Sequence, residues 1–108
     1  MTDYSSVMFG GAAIRRPVVC FQLDRDEMIG GGHTTRPGCF DYAQDGFGPV
    51  ARSVDAVVDD ILDVVDAGGD LAEPYAIRVE ATLDRLDGEN CARTVTAIKA
   101  VEKKVRWV

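Results

Sequence analysis

The sequence predicts an α/β fold, and an incomplete one. Its one confident strand is Pro17-Val18-Val19-Cys20-Phe21-Gln22-Leu23, a near-continuous apolar run rich in β-branched residues and without in/out alternation. A strand reads this way when helices cover both of its faces, as in a parallel sheet. Around it lie four helical patterns, but only one further strand candidate, the short stretch from Gly48 to Arg52. A strand buried on both faces needs neighbours, because its backbone N–H and C=O groups must pair. One good strand and four helices cannot build an ordinary doubly wound sheet. The segment from Asp24 to Pro49 points the same way, since long irregular segments in a compact domain are usually functional. The reading is therefore the last part of a larger α/β domain.

In chain order, Asp3-Tyr4-Ser5-Ser6 is a polar corner leading into the apolar run Val7-Met8-Phe9. Ser5 or Ser6 can N-cap a helix running to about Arg15-Arg16, which Pro17 would stop. Such a corner normally follows a buried strand, and only Met1 and Thr2 stand before it, so the expectation is that the leading strand is missing. After the 17–23 strand comes the irregular stretch with Gly30-Gly31-Gly32, Pro37-Gly38, Gly46 and Gly48-Pro49, all turn formers. From Ser53 the period changes to 3.6. Val54, Val57, Val58, Ile61, Leu62 and Val65 form one apolar stripe, with Asp59, Asp60, Asp63 and Asp66 mainly opposite, and Gly68-Gly69 ends the helix. Asp70 and Glu73 resemble a capping box for a helix reaching about Leu86, with Pro74 in its first turn. Asp87-Gly88 breaks the chain. A last helix spans about Asn90 to Val105, with Cys91, Val95, Ile98, Val101 and Val105 expected to face inward.

The chain has 108 residues, enough for a single small domain, and 46% of them are hydrophobic, so it is neither disordered nor short of core formers. A net charge of -6 argues against nucleic acid as a partner, which would need a basic face to displace counterions. It leaves room for a local anion site. No apolar run approaches the ~20 residues of a membrane span, and no signal-peptide pattern opens the chain. The three cysteines, Cys20, Cys39 and Cys91, are odd in number and widely spaced, with one histidine and no C-x-x-C. That count and spacing argue against a structural zinc site, and reduced, mostly buried thiols are expected.

Three stretches can carry chemistry. If Ser5 and Ser6 begin a helix, its free N–H groups and their hydroxyls form a place for a phosphate or carboxylate at the C-terminal edge of the sheet; the plainer reading is that serine simply caps. The stretch "DRDEMIGGGHTTRPGCFDYAQDGFGPV" gathers His33, Arg36 and the carboxylates Asp24, Asp26, Glu27, Asp41 and Asp45 just beyond a buried strand, where open α/β sheets bind ligands. Arg36 could clamp a phosphate, and His33 could donate to one or shuttle a proton, against the alternative of a solvated loop histidine. The carboxylates could bind Mg²⁺ or simply keep the loop soluble. At the C-terminus, Lys99, Lys103, Lys104 and Arg106 beside Trp107 could touch an anionic membrane surface, but cations placed at a helix C-terminus explain them as well.

Taken in order and spacing, "TDYSSVMF", "RRPVVCFQLDRDE" and "GGGHTTRPGCFDYAQDGFGPV", with "LDGENCARTVTAIKAV" near the end, resemble one family across essentially the whole chain. It is similar to the C-terminal part of the CDP-glycerol:poly(glycerophosphate) glycerophosphotransferases of teichoic acid synthesis. The resemblance implies a GT-B transferase, with the active site between two Rossmann-like domains. Residues 1–72 would be a partial donor-binding half-domain, and residues 73–108 the C-terminal helices packing on it. Glycerol phosphate would pass from CDP-glycerol to a lipid-linked poly(glycerol phosphate) acceptor, releasing CMP, at the cytoplasmic, inner face of the cell membrane, where the protein would be peripheral. Ser5, Ser6, Arg36 and His33 would hold the donor's phosphates. The catalytic base would lie in the missing N-terminal half, so the chain alone should not turn over.

The sequence also departs from that pattern. Gly10-Gly11 stand where an acidic residue is expected, at a cost of roughly 1 kcal/mol per glycine inside a helix. Pro37 separates Arg36 from Gly38, and the Gly-His pattern around His33 occurs in only some members. No cofactor is assigned, no residue is assigned to a metal, and a divalent-metal requirement stays open. Two other readings stand beside this one. One is a fragment of a GT-B glycosyltransferase using a sugar nucleotide. The other is a non-catalytic remnant or interaction module that self-associates through an unpaired strand edge.

Overall fold

A computed structural model describes residues 1–30, 36 and 38–105. The elements run α1 (Val7–Ala13), β1 (Cys20–Phe21), α2 (Arg25–Ile29), β2 (Val50–Ala51), α3 (Val54–Asp66), α4 (Tyr75–Thr82) and α5 (Asn90–Lys104). Strands β1 and β2 are parallel, with Cys20 opposite Val50 and Phe21 opposite Ala51. On the other side of β1, Thr2 forms a parallel bridge to Cys20. Its N–H donates to the Val19 carbonyl at 3.0 Å and its carbonyl accepts from Phe21 at 2.8 Å.

The centre of β1 is thus paired on both sides, and the polar corner does follow an extended residue. The ladder is much shorter than the 17–23 run suggested, because among the described residues only Thr2 and the Pro49–Ala51 stretch lie alongside to pair with it. Burial extends further than pairing: Val18, Val19, Cys20 and Gln22 are all buried. Alternation across β1 explains the continuous apolar run. Val18 and Cys20 face a cluster with Met8 and Ala12 of α1, Phe47, and Val79 of α4. Val19 packs on the opposite face with Ala51 and Val57 of α3, and Phe21 lies against that cluster. Helices therefore cover both faces, as the composition of the run requires.

Local signals set most helix ends. Ser53 caps α3 by accepting from the Ala56 N–H at 3.2 Å. The helix closes where Gly68 and Gly69 take positive φ and donate to the carbonyls of Val65 and Val64, a Schellman arrangement. Helix α1 ends the same way two residues early: Arg15 at φ 54 donates to Ala12, and Arg16 to Gly11. The expected capping box of α4 is absent. Pro74 occupies the N-cap, Glu73 accepts from the Ile77 N–H instead, and the helix stops at Thr82 rather than Leu86. The stretch from Asp24 to Pro49 contains the short α2, whose residues carried no apolar periodicity.

Two expected inward faces are not covered. Of the α3 stripe only Val57 is buried, while Val54, Val58, Ile61, Leu62 and Val65 are exposed. Helix α5 buries no residue, and Val95, Ile98, Val101 and Val105 all face solvent. It is held at its start by Arg93, whose two terminal nitrogens donate to the Asp87 carboxylate at 2.8 and 2.9 Å. That fork holds the Asp87 carboxyl well below the usual carboxylate range, with the Glu89 N–H adding to it. The outline is accordingly extended, 62 × 38 × 17 Å, and its radius of gyration of 18.1 Å exceeds the ~13 Å of a compact chain this size. Cys39 and Cys91 are exposed, which corrects the expectation of mostly buried thiols. Only Cys20 is buried, and burial raises its thiol pKa.

Gly10 lies inside α1 with nothing within 4 Å of where a Cβ would stand. Gly10→Ala should therefore stabilise the protein by about 1 kcal/mol, raising its melting temperature by roughly 4–8 °C in a circular-dichroism scan. Gly11 is different, because its Cβ would meet the Val18 side chain at 3.0 Å.

Candidate functional site

The corner and the end of β1 meet at one edge of the sheet. There, a pocket of about 470 Å³ is lined by Tyr4, Ser5, Ser6 and Phe9 from the first segment. Arg25, Met28 and Ile29 of α2, and Arg36, Gly38, Phe40, Asp41 and Tyr42, complete it. The structure thus brings together Ser5, Ser6 and Arg36, three of the residues singled out from sequence. His33 lies outside the described residues. The side of the ladder explains the position: the chain leaves Thr2 and Phe21 in the same direction, so the corner and the Asp24–Arg25 turn emerge together beyond the C-terminal edge.

The corner is fixed by its own polar groups. Ser5 Oγ accepts from the Val7 N–H at 3.2 Å, one residue ahead of Ser6, which holds the N-cap position. The Ser6 side chain makes no capping bond. The Asp3 carboxylate accepts from the Tyr4 N–H at 2.6 Å, and the Gln22 amide donates to the Asp3 carbonyl at 3.2 Å. Tyr4 donates its hydroxyl to Asp24 at 3.0 Å. Partial burial first, then that carboxylate, pushes the phenol up to about 12, so it stays a neutral donor. Helix α1 has only seven residues, and its dipole is correspondingly modest. Arg25 and Arg36 are the cationic side chains among the described residues lining this pocket.

An aromatic wall backs the pocket. Tyr42 meets Tyr4 edge-on with centroids 6.2 Å apart and meets Phe40 edge-on at 5.4 Å. Phe9 lies 5.4 Å from Phe40 and 5.2 Å from the fully buried Phe47. The wall is anchored from behind by Arg78 of α4, which donates one nitrogen to the carbonyls of Ala43 and Gly46, each at 3.0 Å.

The carboxylates of the 24–49 stretch are mostly occupied by backbone and hydroxyl groups. Asp41 accepts from the N–H groups of Ala43 and Gln44, Asp45 accepts from the Asp41 N–H, and Asp24 holds Tyr4. Among the described residues no three His, Cys, Asp or Glu side chains come together as a metal site would need. Neither Arg25 nor Arg36 forms an ion pair with a carboxylate among the described residues. Sequence reading missed Arg25 and the aromatic wall. The available signal was position alone, since Arg25 stands directly beyond the end of a buried strand.

A second hollow of about 240 Å³ lies toward the start of the strands, between Pro17, Pro49, Asp60, Asp63 and Tyr75. Burial and the neighbouring Asp63 and Asp59 raise the Asp60 carboxyl there. Among the described residues, no helix is long and apolar enough to cross a membrane.

Comparison with known proteins bears on what this pocket serves. The chain is 26% identical over 98 residues to a teichoic acid glycerol-phosphate transferase of Staphylococcus aureus (strain NCTC 8325 / PS 47). The match covers 91% of this chain and 24% of that protein, so the chain spans about a quarter of its relative's length. No solved structure matches it. The family model of CDP-Glycerol:Poly(glycerophosphate) glycerophosphotransferase matches residues 1–100. From the corner through most of α5, then, the chain belongs to the glycerophosphotransferase family.

Proposed function

We propose that this chain supplies the donor-phosphate pocket of a glycerophosphotransferase of GT-B architecture. Residues 1–72 form part of the donor-binding half; of the helices in residues 73–108, α4 packs on it and α5 extends from it uncovered. The donor is CDP-glycerol and the acceptor a lipid-linked poly(glycerol phosphate) chain, with CMP as the leaving product. The protein works as a peripheral protein on the cytoplasmic face of the membrane. What supports the reading above all is the convergence of Ser5, Ser6 and Arg36 on one pocket at the C-terminal edge of β1, where α/β sheets bind ligands.

In this role the Arg36 guanidinium pairs with a phosphate in a fork geometry. The Ser6 hydroxyl and the free N–H groups of the corner add neutral donors, and the family resemblance gives His33 the same role. Such groups stabilise charge on the phosphates as the bond to CMP breaks, and they hold the donor in line with the acceptor hydroxyl. No residue of this chain is assigned as the base that takes the acceptor's proton.

Titration calorimetry of the chain with CDP-glycerol tests the reading. Binding should be measurable, and Arg36→Ala should weaken it about tenfold, the value of one charge-assisted contact. Binding that is absent, or indifferent to Arg36, would overturn the assignment.

A further inference from the structure

We infer that Arg25 is a second phosphate-binding residue of this pocket, engaging the phosphate group that CDP-glycerol has and CMP lacks. The inference rests on the proposed donor site and goes beyond it by assigning substrate-over-product discrimination to a residue given no role from the sequence. Arg25 begins α2 and lines the same pocket as Arg36, which approaches from a separate segment. Unlike Arg36, it is half-buried, yet no carboxylate among the described residues pairs with it. A guanidinium that lines a pocket without an ion-pair partner is open to a ligand that supplies the negative charge.

The nearby carboxylates Asp24 and Asp41 are each engaged elsewhere through one oxygen, and neither forms an ion pair with it among the described residues. Asp24, its neighbour, accepts the Tyr4 hydroxyl, and Asp41 across the pocket accepts two backbone N–H groups. Asp26 and Glu27 follow it directly on α2, and residues one and two apart on a helix do not face each other. Two guanidinium groups on different segments, neither in an ion pair among the described residues and both beside Phe9, Phe40 and Ile29, suit two linked phosphates better than one. A diphosphate can occupy both forks together. A nucleoside monophosphate occupies one and leaves the other unpaired, so the product leaves more readily than the donor.

The test is calorimetric binding of CDP-glycerol and of CMP to the intact chain and to two variants. Arg25→Ala should weaken CDP-glycerol about tenfold and CMP by less than about twofold, whereas Arg36→Ala should weaken CDP-glycerol whatever becomes of CMP. Arg25→Lys should recover only part of the loss, because the ammonium keeps the charge and loses the fork. Equal weakening of both ligands by Arg25→Ala, or none of either, overturns the inference while the donor site stands. Failure of the unmodified chain to bind CDP-glycerol, or indifference to Arg36→Ala, overturns the donor site itself and Arg25's role with it. Circular dichroism of each variant separates a lost contact from a lost fold.

Discussion

Gly48→Ala should lower the melting temperature by roughly 12–24 °C, the equivalent of about 3 kcal/mol of overpacking in a domain this small. A methyl group at position 48 would stand 1.6 Å from the Val18 carbonyl oxygen and 2.6 Å from its carbon. Those atoms are backbone, so no side-chain rotation relieves the clash. The chain around 48 would have to back away from 18. That movement would pull on the neighbouring bond, in which the Cys20 N–H donates to the Pro49 carbonyl at 2.9 Å. The requirement is one of close approach. A folding free energy on the order of 5–15 kcal/mol is usual for a domain, and an extended molecule with two uncovered helix faces sits low in that range. A thermal scan beside Gly10→Ala makes the contrast direct, with one added methyl stabilising and the other nearly unfolding. A Gly48→Ala protein melting within about 2 °C of the parent would show that the approach is not as tight as the geometry states.

Phe47→Ala should cost about 3–5 kcal/mol, at the upper end for deleting a buried aromatic ring. Phe47 is fully buried where α1, β1 and α4 meet, in one cluster with Met8, Val18 and Val79. Its ring contacts Phe9 edge-on at 5.2 Å and lies 6.3 Å from Phe40. Because Phe9 and Phe40 also form the pocket wall, the same deletion should weaken CDP-glycerol binding even in the fraction that stays folded. Urea titration followed by far-UV circular dichroism measures the stability loss as a shift in midpoint. Phe47→Leu should retain most of the stability, since it keeps an apolar group of adequate size. If the alanine variant unfolds at the parent's urea concentration, the cluster around Phe47 is not what holds the three elements together.

How far the sequence revealed these features depended on whether the cause was local. Ser53 and Gly68-Gly69 bound α3 where expected, and Asn90 begins α5, because caps and positive-φ turns act within a few residues. The double coverage of β1 was legible from the unbroken apolar run of Val18, Val19 and Cys20. Its two-residue ladder was not, since pairing depends on Thr2 and Val50, distant in sequence. The faces of α3 and α5 show the opposite failure. Periodicity reveals that a helix has an apolar side, but not that this chain supplies the cover for it. In the pocket, Ser5, Ser6 and Arg36 stood out through motif and position. Arg25 did not, because its meaning lies in which carboxylates are already engaged, and only a hydrogen-bond pattern discloses that. The exposed thiols of Cys39 and Cys91 went unforeseen for a related reason, as the hydrophobicity of a residue says nothing of whether its segment reaches the core.

Arg78 also determines where the molecule can be divided. Its nitrogen bridges two carbonyls of the 43–46 turn, while Val79 beside it lies at 0% exposure in the same cluster as Phe47. Helix α4 is therefore part of the pocket's foundation, although in sequence it follows the double glycine that closes α3. A gene cut at residue 72 would remove Val79 from the cluster on one face of the sheet and leave the pocket wall without its brace. A cut beyond Leu83, which is the last residue packed against that cluster, would keep every buried contact in one piece. For anyone dividing this protein for expression or grafting it onto another chain, the natural seam lies in the stretch before α5.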